Sequence, residues 1–382
     1  MKKVIYLLII TAICISCQKQ ENKTYSDAFT EEAITKVTND VVRWQVDNYA
    51  AMNEKRKGVT GVDLIWNNAI FLTAVSEWAE YVQDSDLIAW YNNIALRNNY
   101  QVNCDPHVYH ADNLIIGMLY ANIYDKTGDE HVLHTMLSRL EFIAKHPSQN
   151  TLVTNDDDLT YKFKYRWSWC DALYMAPQVF ARYAKIFDEP ELLDLMDTEY
   201  WATTDFLYNP EYHLYYRDSK YFNLSEKNGM PVFWGRGNAW VVAGLAHMLP
   251  YLPKDYPSYP RYVQLYKDMM KAIVSQQNPA GHWCVSMLDA ENYPTPEMSS
   301  TSFFAYAIWW GINQGLLDKA IYLEPATRAW QAMVRAVRPT GMLGNVQAVG
   351  EKPESITKDM TEVYGPAAMA FTAQEILKYI KK

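Results

Sequence analysis

Cysteine is scarce in this chain, with five among 382 residues. Three of them, Cys104, Cys170 and Cys284, lie far apart downstream of the N-terminal segment, too few and too scattered for a disulfide framework and without a C-x-x-C pair. The spacing predicts buried thiols with at most one pair, and the sequence carries no metal motif and implies no cofactor. Basic blocks are missing too. A formal net charge of −9 without any run of Lys or Arg excludes nucleic acid as a natural partner. The apolar run "VIYLLIITAICI" near the N-terminus falls short of the roughly 20 residues that span a bilayer. No internal linker suggests a second domain.

What is present is a chain 49% hydrophobic and 14% aromatic, long enough to bury a large core. Its first residues read as an address. Lys2 and Lys3 precede the apolar run, small Ser16 precedes Cys17, and polar "QKQENK" follows. This is the layout of a secretory signal of lipoprotein type. The expected organisation is a signal over 1–17 ending at a lipidated Cys17, a polar tether over 18–29, and one catalytic domain over 30–382. The protein is then exported, to the periplasm or as an outer-membrane-anchored lipoprotein, and meets a membrane only through its lipid.

The remainder has a helical pattern with a repeat. Asp84–Tyr100, Pro190–Leu207, Glu31–Met52 and Tyr259–Gln277 are amphipathic. More apolar helices begin near Val62, His110, Ser168, Arg236, Ser299 and Tyr364, each after an amphipathic one, roughly 50–70 residues apart. Six such pairs predict an all-α fold, an (α/α)6 barrel with the apolar helices inside; an open solenoid is the alternative that periodicity leaves standing. The long segments His146–Arg166, Tyr208–Phe233 and Gln277–Met298 each lead into an inner helix, so they should gather at one rim.

Candidate chemistry lies at those helix starts. Asp112 and Asp171 begin consecutive inner helices, and Asp171 sits in "WSWCDALYMAP" among Trp167, Trp169 and Tyr174. An ionised acid in such surroundings needs partners or becomes protonated, and the protonated state is the one a general acid requires. Capping a helix is the competing role for each. In "VFWGRGNAW", Arg236 lies between Trp234 and Trp240, placed either to hold a carboxylate-bearing sugar or to pair with a structural acid. Met175 reads as packing, and Glu297 with Thr301 as a helix cap.

"WSWCDALYMAP", "HLYYRDSKYF", "VFWGRGNAWVVAGLAHML" and "PEMSSTSFFAYAIWWGINQGLLD" together resemble the glycoside hydrolase family 105 unsaturated rhamnogalacturonyl hydrolases, and the related family 88 unsaturated glucuronyl hydrolases. The resemblance implies a closed barrel and a hydration reaction on a 4,5-unsaturated uronic acid at the non-reducing end of a lyase-generated oligosaccharide, by default rhamnogalacturonan-derived. It implies that Asp171 is the proton donor and that Asp112 assists it by raising its pKa. His213, Trp169, Met175, Trp234, Arg236 and Trp240 would line the sugar site. His213 enters on the resemblance alone. A conventional two-carboxylate glycosidase on the same barrel, a sugar epimerase and a non-catalytic glycan-binding lipoprotein stay open as alternatives.

Overall fold

The computed structural model describes residues 24–56, 59, 61–103, 107–155 and 165–382. The signal and Cys17 lie outside the described residues, as does Cys104. Helices alternate between two kinds. The first, α1 (Glu31–Glu54), is capped by Thr30, whose hydroxyl accepts from the Ala33 N–H at 3.2 Å. It buries Ile34, Val37, Thr38, Val41, Val42, Gln45 and Tyr49, one stripe at three- and four-residue spacing. Its partner α2 (Trp66–Val82) is buried nearly all round. The same pairing recurs in α3 (Ser85–Arg97) with α4 (Ile116–Thr127), and in α5 (His134–Lys145) with α6 (Ala172–Met175) and α7 (Pro177–Phe187). It continues in α8 (Pro190–Leu207) with α9 (Gly235–Met248), α10 (Tyr259–Ser275) with α11 (Met298–Asn313), and α12 (Lys319–Ala336) with α13 (Tyr364–Ile380).

Every residue of α9, and every residue of α11 from Met298 to Ile312, is buried. Helices buried on all sides have no face left for solvent, so these form the inner ring. Each inner helix packs on the next, and α13 returns to α2. That contact closes the ring and excludes the open solenoid. Close approach needs small residues where helices meet: a Cβ on Gly244 of α9 would stand 2.4 Å from the Leu173 carbonyl oxygen in α6.

Three inner helices start later than the sequence pattern suggests. Val62–Leu64 and Ala111–Asn113 are single 3-10 turns ahead of Trp66 and Ile116, and α6 begins at Ala172. Pro177, which has no N–H to give the preceding turn, separates α6 from α7. Asp112 and Asp171 therefore stand on turns just ahead of the helices. All six inner helices point their starts to the same mouth, where the long connections collect. Within one of them β1 (Tyr208–Asn209) pairs antiparallel with β2 (Leu214–Tyr215), Tyr208 opposite Tyr215. A further connection, 337–363, joins this rim; its role was not evident from the sequence. Among the described residues no helix is long and apolar enough to cross a membrane.

Candidate active site

Asp171 occupies the position before α6, yet its side chain caps nothing. Its neighbours are fixed by backbone pairing. The Cys170 N–H donates to the Arg217 carbonyl at 2.8 Å, and Trp169 bridges to Asp218. This pairing carries the Arg217 side chain to the acid, with Nε 3.5 Å from Asp171 Oδ2. The Cys170 thiol donates to the same oxygen at 3.6 Å. Burial pushes the Asp171 carboxyl up; Arg217, its own backbone N–H, Arg236 and Cys170 pull it down, and burial wins. The raised pKa comes first from burial, and Asp112 is not among its main causes. The expectation that Asp112 does the raising gives way to burial as the first cause.

Asp112 sits in the 3-10 turn that packs against α6. His110 Nδ1 accepts from the Asp112 backbone N–H at 3.3 Å and lies 4.0 Å from its Oδ2. The His110 ring meets Trp169 at 4.9 Å and Tyr165 at 4.7 Å, an aromatic wall beside the two acids. Trp169 stands against both His110 and Tyr165. Met175, one turn beyond the acid, is only 2% exposed.

Arg236 is brought close but not as a free clamp. Its guanidinium lies 4.4 Å from the Trp234 ring centroid and 4.8 Å from that of Tyr364. Nη1 donates to the Gln347 carbonyl at 2.9 Å and Nη2 to the Ala348 carbonyl at 2.8 Å. With 1% exposure, it fastens the 337–363 connection to the barrel and adds positive potential near Asp171. The structural acid proposed as its partner is replaced by backbone carbonyls. The flanking glycines are required by contact: a Cβ on Gly235 would stand 2.6 Å from the Cys284 carbonyl oxygen, and one on Gly237 3.0 Å from Cys170 Sγ. Trp240, also 1% exposed, packs on Tyr174 and Phe303 at 4.8 and 4.5 Å, forming the floor of the mouth. Trp234 donates its indole N–H to Gln347 Oε1 at 2.8 Å.

His213 goes elsewhere. It turns the hairpin with a left-handed φ of 54°, and its Nδ1 shares a hydrogen bond with the Tyr208 hydroxyl at 2.7 Å. Its ring also lies against that of Tyr208, at 6.1 Å; Arg217, four residues on, is the loop residue at the acid.

Three further residues shape the site without having stood out in the sequence. Asn238, the N of "GRGN", accepts from the Tyr215 N–H at 2.7 Å and donates to the Tyr215 carbonyl at 3.1 Å, clamping β2 to α9 just before Arg217. Gln347 receives Trp234 on its side chain, while its carbonyl takes Arg236 and the Tyr364 hydroxyl, the latter at 2.6 Å. Glu351 reaches Arg217 at 3.5 Å. Glu297 caps α11, accepting from the Ser299 and Ser300 N–H groups, and also takes the Gln347 N–H at 2.9 Å. Cys170 and Cys284 are free and buried. Among the described residues no three His, Cys, Asp or Glu side chains gather to hold a metal.

The geometry is that of a buried, uncapped acid facing an arginine at the mouth of a closed α/α barrel. Comparison with known proteins places this arrangement. Residues 21–380 match Glycosyl Hydrolase Family 88. An "Unsaturated 3S-rhamnoglycuronyl hydrolase" of Alteromonas sp. (strain LOR) is 30% identical over 361 residues, covering 92% of this chain and 87% of that protein. A protein of the same name from Formosa agariphila is 33% identical over 321 residues, covering 82% and 84%. The solved structure of a glycosyl hydrolase family 88 protein from Bacteroides vulgatus, 26% identical, superimposes with a TM-score of 0.79 over 92% of this chain and 99% of that one. The chain belongs to glycosyl hydrolase family 88 and is a glycosidase of the unsaturated uronyl hydrolase type.

Proposed function

We propose that this enzyme removes a 4,5-unsaturated uronic acid from the non-reducing end of an oligosaccharide by adding water across the C4–C5 double bond, with Asp171 as acid and then base. The observation that carries the reading is Asp171 itself: buried, free of any capping role, and held with a raised pKa beside a cation. A carboxyl so placed keeps its proton into the range where a general acid works. It gives that proton to C4, leaving positive charge at C5 shared with the ring oxygen. The carboxylate then takes a proton from water as the water oxygen bonds to C5, and the acid is restored. The C5 hemiketal opens by breaking the bond to the ring oxygen, and the hemiacetal left at C1 expels the remaining sugar as an alcohol. One water is consumed and the glycosidic oxygen needs no acid of its own.

Trp169 and the His110 ring offer aromatic surface to the sugar, Asp112 offers a second carboxylate to its hydroxyls, and the charge of Arg217 favours the uronate. Met175, Trp234, Arg236 and Trp240 support from beneath, and His213 has no part in binding. The names of the relatives put rhamnose beside the glycuronyl residue, and rhamnose is proposed here as the leaving sugar. The double bond removes the C4 stereocentre, so galacturonyl and glucuronyl substrates present the same unsaturated ring and differ in their linkage. A panel of lyase products, rhamnose-linked and otherwise, analysed by mass spectrometry for the freed sugar, tests this. Release from the rhamnose-linked members is expected; release only from others would reject rhamnose, and equal release from saturated controls would reject hydration.

We also infer that the chain is exported and carries lipid on Cys17. Labelled fatty acid should enter the wild-type protein and not Cys17→Ala; incorporation into both, or neither, contradicts this.

A further inference from the structure

Two cations act on Asp171, and one stretch of chain holds both. Residues 345–351 give the Gln347 and Ala348 carbonyls to Arg236, and Glu351 to Arg217. The stretch is anchored at its start. The Met298 N–H donates to the Asn345 carbonyl at 2.8 Å and the Gln347 N–H to Glu297 at 2.9 Å. At its far end Glu351 closes a charged cluster. Arg217 Nη1 lies 2.6 Å from Asp218 Oδ2 and 3.5 Å from Glu351 Oε2, while Lys220 Nζ lies 3.1 Å from Glu351 and 3.9 Å from Asp218.

Arg217 is thus shared among three carboxylates, and each takes part of its charge. Asp218, fully buried, is fixed and keeps the guanidinium in the hairpin. Asp171 is the functional recipient. Glu351, with 44% of its side chain exposed, is the one the reaction does not otherwise need. We propose that Glu351 is a positioning residue: by drawing on Arg217 it limits how strongly that arginine engages Asp171, and so keeps the acid able to hold its proton. The inference rests on the functional reading above for the identity of the acid.

The sign follows from the charges around the pair. Asp171 faces Arg217 from the hairpin side, Arg236 from α9 and Cys170 from its own segment, while the turn carrying Asp112 packs on α6 just beyond it. Arg217 faces Asp171, Asp218, Glu351 and Cys170, with Lys220 and Tyr221 beside Glu351. Neutralising Glu351 leaves more of the Arg217 charge for Asp171, which favours the carboxylate. Neutralising Arg217 does the opposite.

The test is a carboxyl 13C NMR titration of Asp-labelled protein, with the Asp171 resonance identified by its absence from Asp171→Asn. Glu351→Gln should lower the Asp171 midpoint by about half a pH unit, the modest size reflecting solvent screening of Glu351. Arg217→Gln should raise it by about one unit or more. The basic limb of kcat on an unsaturated disaccharide should move in the same two directions. A merely structural role would give no midpoint change, or the same direction in both variants, and either result overturns the proposal. Opposed NMR shifts without turnover of unsaturated sugar by the wild type would instead overturn the functional reading and leave the positioning role standing.

Discussion

At the scale of single residues the chemistry turns on Asp171. Replacing it by Asn removes the transferable proton while keeping the shape, so kcat should fall by about 10²–10⁴-fold, the usual contribution of general acid–base catalysis. Substrate binding, followed by titration calorimetry, should persist. The buried carboxyl has a raised pKa, so its proton is favoured in the fold; that contribution is present at low pH and lost as pH rises through the folded value. Asp171→Asn should therefore unfold at no lower temperature than the wild type at neutral pH, as read by calorimetry. A large drop would make Asp171 structural. Asp171 was legible in the sequence because an acid among tryptophans is a physical anomaly. Arg217 was not, because only the Cys170–Arg217 backbone bond brings it to the acid. His213 entered on the resemblance alone, and the hairpin directs its ring to the Tyr208 hydroxyl.

At the scale of elements, the mouth depends on small contacts between connections and helix starts. Asn238→Ala would strand the buried N–H and carbonyl of Tyr215, at about 1–3 kcal/mol for each unsatisfied group. Urea unfolding should show a loss of about 2–6 kcal/mol for the two groups together, and kcat should fall further than folding alone explains, since β2 leads to Arg217. Gly244→Ala should cost about 1–3 kcal/mol, because α6 and α9 would have to separate to admit the methyl group. Unchanged midpoints in urea would contradict the close packing described. The inner helices were legible as apolar runs with a regular period, whereas the turns preceding three of them were not. Two of those turns place Asp112 and Asp171. The 337–363 connection was silent in sequence: its key groups are the Gln347 and Ala348 carbonyls, and a backbone carbonyl leaves no signature in residue type.

At the scale of the molecule, ring closure makes the inner helices one buried core, and titratable groups within it couple the fold to pH. His247 stacks on Tyr306 at 4.6 Å within that core, and burial pulls its pKa down to about 3 from 6.5. The unfolded chain takes a proton below about pH 6.5 that the folded barrel refuses, so stability is full above that pH and declines towards pH 3. Between pH 7.5 and pH 4.5 the melting temperature of the wild type minus that of His247→Gln, positive at pH 7.5, should shrink as the pH falls. Closure itself could be read from the six repeats only as one of two outcomes; the contact between α13 and α2 decides it. The barrel brings Asp171 to its mouth, and hydration by that acid is best examined through the ultraviolet absorbance of a Δ4,5-unsaturated, rhamnose-linked disaccharide. Absorbance should decay with wild-type enzyme and persist with Asp171→Asn, while a saturated disaccharide stays intact. Decay at the wild-type rate with Asp171→Asn, or cleavage of the saturated sugar, would contradict the mechanism.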